Sequence, residues 1–371
     1  MEPMKNGLAK PAVQRMASAL EQLLPDFERK KFTSRALKGL DKLELKERVS
    51  HLIEVLHGVF PPDFIETAVL LKQLPAAWNY GNPDDAFRGF AAWPFIDYVG
   101  VHGLSQPEAA LDTLKELTSM FSAEFAIRPF LIAHPEICQK HLDAWVNNED
   151  DHLRRLVSEG TRPRLPWGMQ LKPFIIDPSP NLPLLEILKD DDSLYVRRSV
   201  ANHLNDIAKD HPDLVIDICK RWYTDASPEV HWVIKHATRT LVKAGHPDVF
   251  PLLGYSTNLQ LAKLGIQLTK DRLQLGEPLN FEIALKSTSA NNQKMVIDFA
   301  IHFVKANGLQ KAKVFKLKSV DLAPHQTLIL TKSHPIKPIS TRKYYSGKHK
   351  LEILANGKSL GCYEFLLDTE Q

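Results

Sequence analysis

The sequence predicts a mainly α protein that ends in a small all-β domain: a helical-repeat solenoid over residues 1–255, then a sandwich over residues 256–371. Three observations predict this. Apolar residues recur at helical spacing up to about residue 255, similar segments recur within that stretch, and beyond Gly254 the period falls to two.

In the first part, Leu43, Leu45, Val49, Leu52, Ile53 and Leu56 follow helical spacing. Leu111, Leu114, Leu117 and Thr118 do the same after a Ser105-Gln-Pro-Glu start. Pro25, Pro61, Pro62, Pro107, Pro135, Pro212, Pro228 and Pro247 fall between such runs, where helices begin or end. The stretch from Asp192 matches the one from Ala226 at Ser193/Ser227 and Val196/Val230, and both run on to His-Pro-Asp, at His211–Asp213 and His246–Asp248. An earlier copy puts Leu153-Arg154-Arg155 where the later one has Val196-Arg197-Arg198. A period of roughly 35–45 residues in helix pairs is the mark of HEAT-like or armadillo-like repeats, whose second helices line a concave surface.

In the last part, Leu279–Leu285, Val296–Val304 and Lys350–Leu354 alternate apolar and polar residues. Gly276-Glu-Pro, Ser289–Asn292, Asn307-Gly308 and Asn356-Gly357 supply turns. About seven such strands predict an immunoglobulin-like sandwich. The Cys…Trp…Cys core of antibody domains is absent, since Cys362 is alone there and residues 256–371 contain no tryptophan.

Composition narrows the function. With 47 Lys+Arg against 44 Asp+Glu and 44% hydrophobic residues, the 371-residue chain is of ordinary globular type. No apolar run approaches the ~20 residues of a membrane span. Met1–Met16 has no apolar core, so no signal peptide is expected and a cytoplasmic protein is. Cys138, Cys219 and Cys362 make neither a disulfide framework nor a Cys-only zinc site. His134, Cys138 and His141 lack a fourth ligand and read as a partly buried Cys between surface histidines. Phosphate loops, dinucleotide fingerprints and nucleophile elbows are missing as well, so no metal and no cofactor is expected. Charge is uneven: residues 256–371 hold 17 Lys+Arg against 9 Asp+Glu, leaving 30 against 35 for residues 1–255. That asymmetry suits either a polyanion-binding surface or merely solvated lysines.

The segment Asp151–Gly168 carries the most information. Arg154, Arg155, Arg162, Arg164 and Lys172 cluster around Pro163, Pro166 and Pro173, which predicts a stiff basic loop. Glu159 stands at a helix C-terminus, where a carboxylate opposes the helix dipole, so either an ion pair with Arg155 or Arg162 or a functional role keeps it there. Trp167, between Pro166 and Gly168, either plugs a junction between helix pairs or offers an aromatic face to a ligand. Farther on, Arg198, Asn202, Asp206 and Lys209 form a polar stripe that His236, Arg239 and Lys243 extend, a pattern suited to a phosphate backbone.

Phe125-Ala-Ile-Arg-Pro-Phe-Leu, Ser158-Glu-Gly-Thr-Arg-Pro-Arg-Leu-Pro-Trp-Gly, and the stretch Tyr195–Pro212 resemble the AlkC branch of bacterial DNA alkylation repair glycosylases, HEAT-like repeat enzymes related to AlkD. The resemblance covers most of residues 1–255, and some members carry an immunoglobulin-like C-terminal domain. It implies a monofunctional glycosylase that hydrolyses the N-glycosidic bond of cationic bases, chiefly 3-methyladenine and 3-methylcytosine, in duplex DNA without base flipping. It further implies catalytic roles for Glu159 and Asp206, which would stabilise an oxocarbenium-like sugar and position water. Trp167 would pack on the sugar and Glu124 would support the carboxylates. DNA contacts are expected from Arg154, Arg155, Arg162, Arg164, Lys172, Arg197, Arg198, Asn202, His203, Lys209, His236, Arg239 and Lys243. Asn147-Asn148-Glu149-Asp150 stands where AlkD-like members carry a Trp-Asp pair, so that pair's role is not transferred. Lys311, Lys313, Lys316 and Lys318 alternate along one strand, placing several on one face as a second DNA grip, and a monomer suffices for such a protein. The competing reading is a non-catalytic solenoid that binds nucleic acid or a protein. A Schiff-base lyase is disfavoured, because no lysine sits at the centre of these motifs.

Overall fold

The computed structural model describes residues 3–339 and 342–369. Helices run to Leu252 and strands begin at Leu261. The chain forms two compact units: helical residues up to Asp210 with Ser227–His236, and His211–Ala226 with the chain from Ala237 onward. The last helical segments therefore group with the strands, a division different from a cut at residue 255.

In the first unit the sequence signals act locally as expected. The Leu45–His57 helix opens with a capping box in which the Glu44 backbone N–H donates to Glu47. It buries Val49, Leu52, Ile53 and Leu56, one face at three- and four-residue spacing. Asp63 caps Phe64–Ala77 and Asp150 caps Asp151–Gly160 by accepting the backbone N–H two residues on. Pro107 and Pro135 each open a helix at its first position, where the missing N–H costs nothing. Helices pack in pairs: Leu45–His57 on Trp93–His102, Phe64–Ala77 on Pro107–Leu117, and Asp151–Gly160 on Leu194–Ile207.

The repeat has a structural counterpart that explains its arginines. Arg154 donates to the carbonyls of Asn148 (2.7 Å) and Glu149 (2.9 Å), six and five residues before it. Arg197 makes the same reach to Asp191 and Asp192. Each guanidinium thus ties its helix to the turn before it. Ser193 and Ser227 likewise bond back, to Asp151 (2.6 Å) and Asp190 (2.7 Å).

In the second unit, strands β1 (Leu261–Leu268), β2 (Arg272–Gln274), β3 (Pro278–Ser287), β4 (Gln293–Val304), β5 (Gln310–Leu322), β6 (Thr327–Pro335), β7 (Gly347–Ala355) and β8 (Lys358–Asp368) form two sheets. Their orders are β1-β3-β6 and β2-β8-β7-β4-β5, antiparallel except for the β2–β8 pair. Leu279, Phe281, Ile283 and Leu285 of one sheet and Phe299, Ile301, Leu351, Ile353 and Phe365 of the other supply the core. Asn356 and Gly357 both adopt positive φ, 44° and 73°, the geometry that an Asn-Gly hairpin turn supplies. No helix among the described residues is long and apolar enough to cross a membrane.

Candidate active site

Three segments of the first unit converge on an alternating ladder of charge. Glu124 Oε2 lies 2.8 Å from Arg155 Nη1. Arg155 Nη2 is 3.6 Å from Glu159 Oε1, which also accepts from Arg162 Nη1 at 2.6 Å. Arg162 then grips Asp206 Oδ2 through Nε and Nη2, both at 2.8 Å, and Lys209 Nζ closes the series on Asp206 Oδ1 at 2.8 Å. Glu159 ends one helix, Asp206 ends its packing partner, and Arg162 sits in the turn that follows Glu159. The ladder exists because those two helices pack together.

Two of these charges, Glu159 and Arg155, are further held by neutral groups. Ser199 Oγ donates to Glu159 Oε2 at 2.6 Å and lies 2.9 Å from Ser158 Oγ. Arg155 donates to Ser122 Oγ at 2.8 Å and stacks 4.5 Å over the Tyr195 ring. Burial alone would lower both guanidinium groups. Glu159 with Glu124 outweighs it at Arg155, and Glu159 with Asp206 does so at Arg162, so both are raised above the ordinary arginine value. Side-chain exposure grades the carboxylates: 15% for Glu124, 7% for Glu159 and 3% for Asp206. Glu124, expected only as support, is the most open of the three.

Trp167 is 57% exposed and has φ of +64°. Left-handed backbone is rare for a bulky residue and costs about 1–3 kcal/mol, so the surrounding contacts must over-determine it. Its carbonyl accepts from Lys46 Nζ. Two residues on, Met169 O accepts from Arg128 Nε at 2.6 Å, and Arg128 Nη1 donates to Gly160 O at 2.8 Å. Arg128 is fully buried, and burial with the nearby Arg162 charge lowers it to about 10. Behind Trp167 lies a cavity of about 270 Å³ lined in part by Lys46, Trp93, Asp97, Phe125 and Met169. Asp97 accepts from Trp93 Nε1 at 2.8 Å, and burial raises it to about 7.

Several expected DNA contacts turn inward instead. Arg154 spends Nε and Nη2 on Asp191 besides its two carbonyls, and Arg197 is held by the carbonyls of Asp191 and Asp192. Arg155 and Arg162 belong to the ladder, and Arg164 makes a bidentate pair with Asp210 at 2.7 and 2.8 Å. The stiff basic loop is therefore largely neutralised. Glu159 is a local partner, but Asp191, Asp206 and Asp210 lie about forty residues farther along the chain and Glu124 about thirty before, where local reading does not look. His203 is wholly buried, donating from Nδ1 to Ser158 O at 3.0 Å. Burial and the Arg162 charge push it down to about 3, so it is a neutral core residue and not a phosphate contact.

Others stay open to solvent. Lys172 and Arg198 are exposed, Asn202 is half-buried, and Lys209 is exposed although paired with Asp206. His236 stacks on Trp232 at 3.8 Å, while Arg239 and Lys243 fall in the second unit. Lys311, Lys313 and Lys318 pair across β5 and β4 with Phe303, Ile301 and Ile297, but a bulge puts Lys316 opposite Asp298. Three of the four lysines thus share a face and the fourth takes the other. Lys46, Arg128 and Ser199 were missed by sequence reading. Arg128 lies inside the Phe125–Leu131 motif, but its role depends on carbonyls that only the folded chain brings near.

Ligand-capable side chains elsewhere are otherwise engaged. His134 bonds Leu104 O and His141 pairs with Glu108, while burial drives the Cys138 thiol up to about 12. Asp150, Asp151 and His152 converge at a helix start, where Asp150 caps the helix and Asp151 accepts from Ser193.

The fold is that of a helical-repeat protein with an immunoglobulin-like sandwich at its C-terminal end. Residues 263–369 match the family described as "Uncharacterised protein YhaZ, C-terminal Ig-like domain". The chain is 38% identical to the Bacillus subtilis "Uncharacterized protein YhaZ" over 344 residues, 92% of each. It is also similar to the structure of Pseudomonas fluorescens alkylpurine DNA glycosylase AlkC bound to DNA containing an abasic site analog, at 36% identity and TM-score 0.92, with 99% of this chain and 100% of that one covered. The chain belongs to the AlkC family.

Proposed function

We propose that this protein is a monofunctional DNA glycosylase that releases cationic alkylated bases, 3-methyladenine and 3-methylcytosine, from duplex DNA. The observation that carries the reading is the ladder Glu124–Arg155–Glu159–Arg162–Asp206. The whole-chain likeness to an alkylpurine DNA glycosylase supports it.

A ring-alkylated base already carries positive charge, so its departure needs no strong general acid. The C1′–N bond breaks with its electron pair going to the base, a water oxygen bonds to C1′, and the water's proton is given up to a carboxylate or to solvent. Positive charge therefore develops on the sugar, and preorganised carboxylates stabilise it. Glu124, the most open, would face the sugar. Glu159 and Asp206, locked by Arg162 and Ser199, would hold the field and help place water. Trp167 would lay its exposed ring against the deoxyribose of a lesion left in the helical stack. DNA would be gripped by Lys172, Arg198 and Lys209 of the first unit. In the second, the lysines of β5 and a groove of about 960 Å³ lined in part by Lys305, Lys311, Lys313, Arg342 and Tyr345 would contact phosphates.

The test is base release from methylated duplex DNA by wild type and Glu159→Gln, with no metal or cofactor added. Release of 3-methyladenine by wild type alone supports the reading. No release with firm binding to the same DNA would leave a non-catalytic, DNA-binding solenoid.

A further inference from the structure

Trp167 presents its indole from a strained residue, and something must keep it there. Within the loop, the Gly168 N–H donates to Leu165 O and the Leu171 N–H to Pro163 O, both at 3.1 Å, while Leu165 and Leu171 are buried. These bonds shape the turn without fixing where it stands relative to the carboxylates. Two cations from other segments do that. Arg128 ties Gly160, the neighbour of Glu159, to Met169, and Lys46 reaches from the first turn of the Leu45–His57 helix to the Trp167 carbonyl. The Lys46 ammonium also lies 5.5 Å over the ring of Phe125, the residue after Glu124.

We propose that Lys46 is a positioning residue: with Arg128 it clamps the Trp167 backbone in the left-handed conformation and so sets the indole's place beside Glu124 and Glu159. The proposal rests on the glycosylase reading only for its effect on turnover. The clamp itself is a statement about the loop. Lys46 touches no reacting atom in this scheme and acts through Trp167. Lys46 is an exposed residue, so its replacement leaves the core intact, unlike removal of the buried Arg128.

The experiment uses the full-length protein carrying Lys46→Met, with Lys46→Arg as the conservative partner. Amide hydrogen exchange reads the clamp without any substrate. Exchange at Gly168 and Leu171 should rise about tenfold in Lys46→Met, as expected for losing one hydrogen bond from a charged donor, and return toward wild type in Lys46→Arg. Unchanged exchange would overturn the clamp. Single-turnover excision should fall about tenfold in Lys46→Met with affinity for abasic-analogue DNA unchanged, but show no further fall in a Trp167→Phe background. Equal losses in both backgrounds would overturn action through Trp167. Should wild type release no base, the glycosylase reading fails while the exchange result still decides the clamp.

Discussion

Along the ladder from Glu124 to Lys209 the charges of the helical unit are spent on one another, whereas along β5 of the sandwich four exposed lysines face apolar partners and the carboxylate of Asp298. The two regions hold similar residue types and use them differently. In the ladder, each carboxylate is fixed by at least one arginine and shielded from water, so its field is strong and its geometry set before substrate arrives. On the edge strand the lysines are exposed, which suits sequence-independent attraction to phosphate. Under the proposed function, burial separates charge that would do chemistry from charge that would collect substrate.

Breaking the ladder at its centre should have the largest effect. Arg162→Met removes the closest cation from buried Glu159 and leaves buried Asp206 with Lys209 alone, and unfolding by urea should show a loss of about 3–5 kcal/mol. A loss near zero would mean that the pairs are far more hydrated than their burial indicates. Glu159→Gln keeps the shape and removes one charge. Excision should fall about 10²–10³-fold in single-turnover assays while DNA affinity stays within a few-fold of wild type.

The sandwich should respond in the opposite manner. Changing Lys311, Lys313, Lys316 and Lys318 to Gln should weaken DNA binding and flatten its salt dependence by about 0.9 in the log–log slope for each phosphate no longer neutralised. The rate at saturating DNA should stay the same, and a fall in that rate would erase the proposed division of labour.

The smallest effect concerns His203. Its folded value, about 3, lies below that of an unfolded histidine, so the unfolded chain takes up the proton first as pH falls. Its contribution is complete above about pH 6.5 and is lost below it, by up to about 1.4 kcal/mol per pH unit. His203→Gln should therefore show a shallower fall in stability between pH 6.5 and 4.5 than wild type in matched urea titrations.

Much of this was legible in the chain. Periodicity placed the helices and strands and Asn356-Gly357 marked its hairpin, whereas the aligned Arg154 and Arg197, expected to contact DNA, share a structural tie to the turn before each helix. The motifs that resemble AlkC named Glu124, Glu159, Trp167 and Asp206, and the fold gathers the three carboxylates into one ladder. What the motifs could not reveal is which arginines remain open to DNA. Arg154, Arg155, Arg162 and Arg164 look alike as a basic cluster, yet Asp191, Glu124, Asp206 and Asp210 claim them one by one.

The sequence by itself determined the two architectures, because turns, caps and apolar spacing act over a few residues, and the motifs that resemble AlkC named the acidic groups. Only the tertiary structure decided the state of each charge. Whether an arginine grips phosphate or locks a carboxylate depends on acids from distant segments and on the water that packing excludes. The strained pose of Trp167, held by Lys46 and Arg128, was settled at the same level, by carbonyls that meet their donors only when separate helices come together.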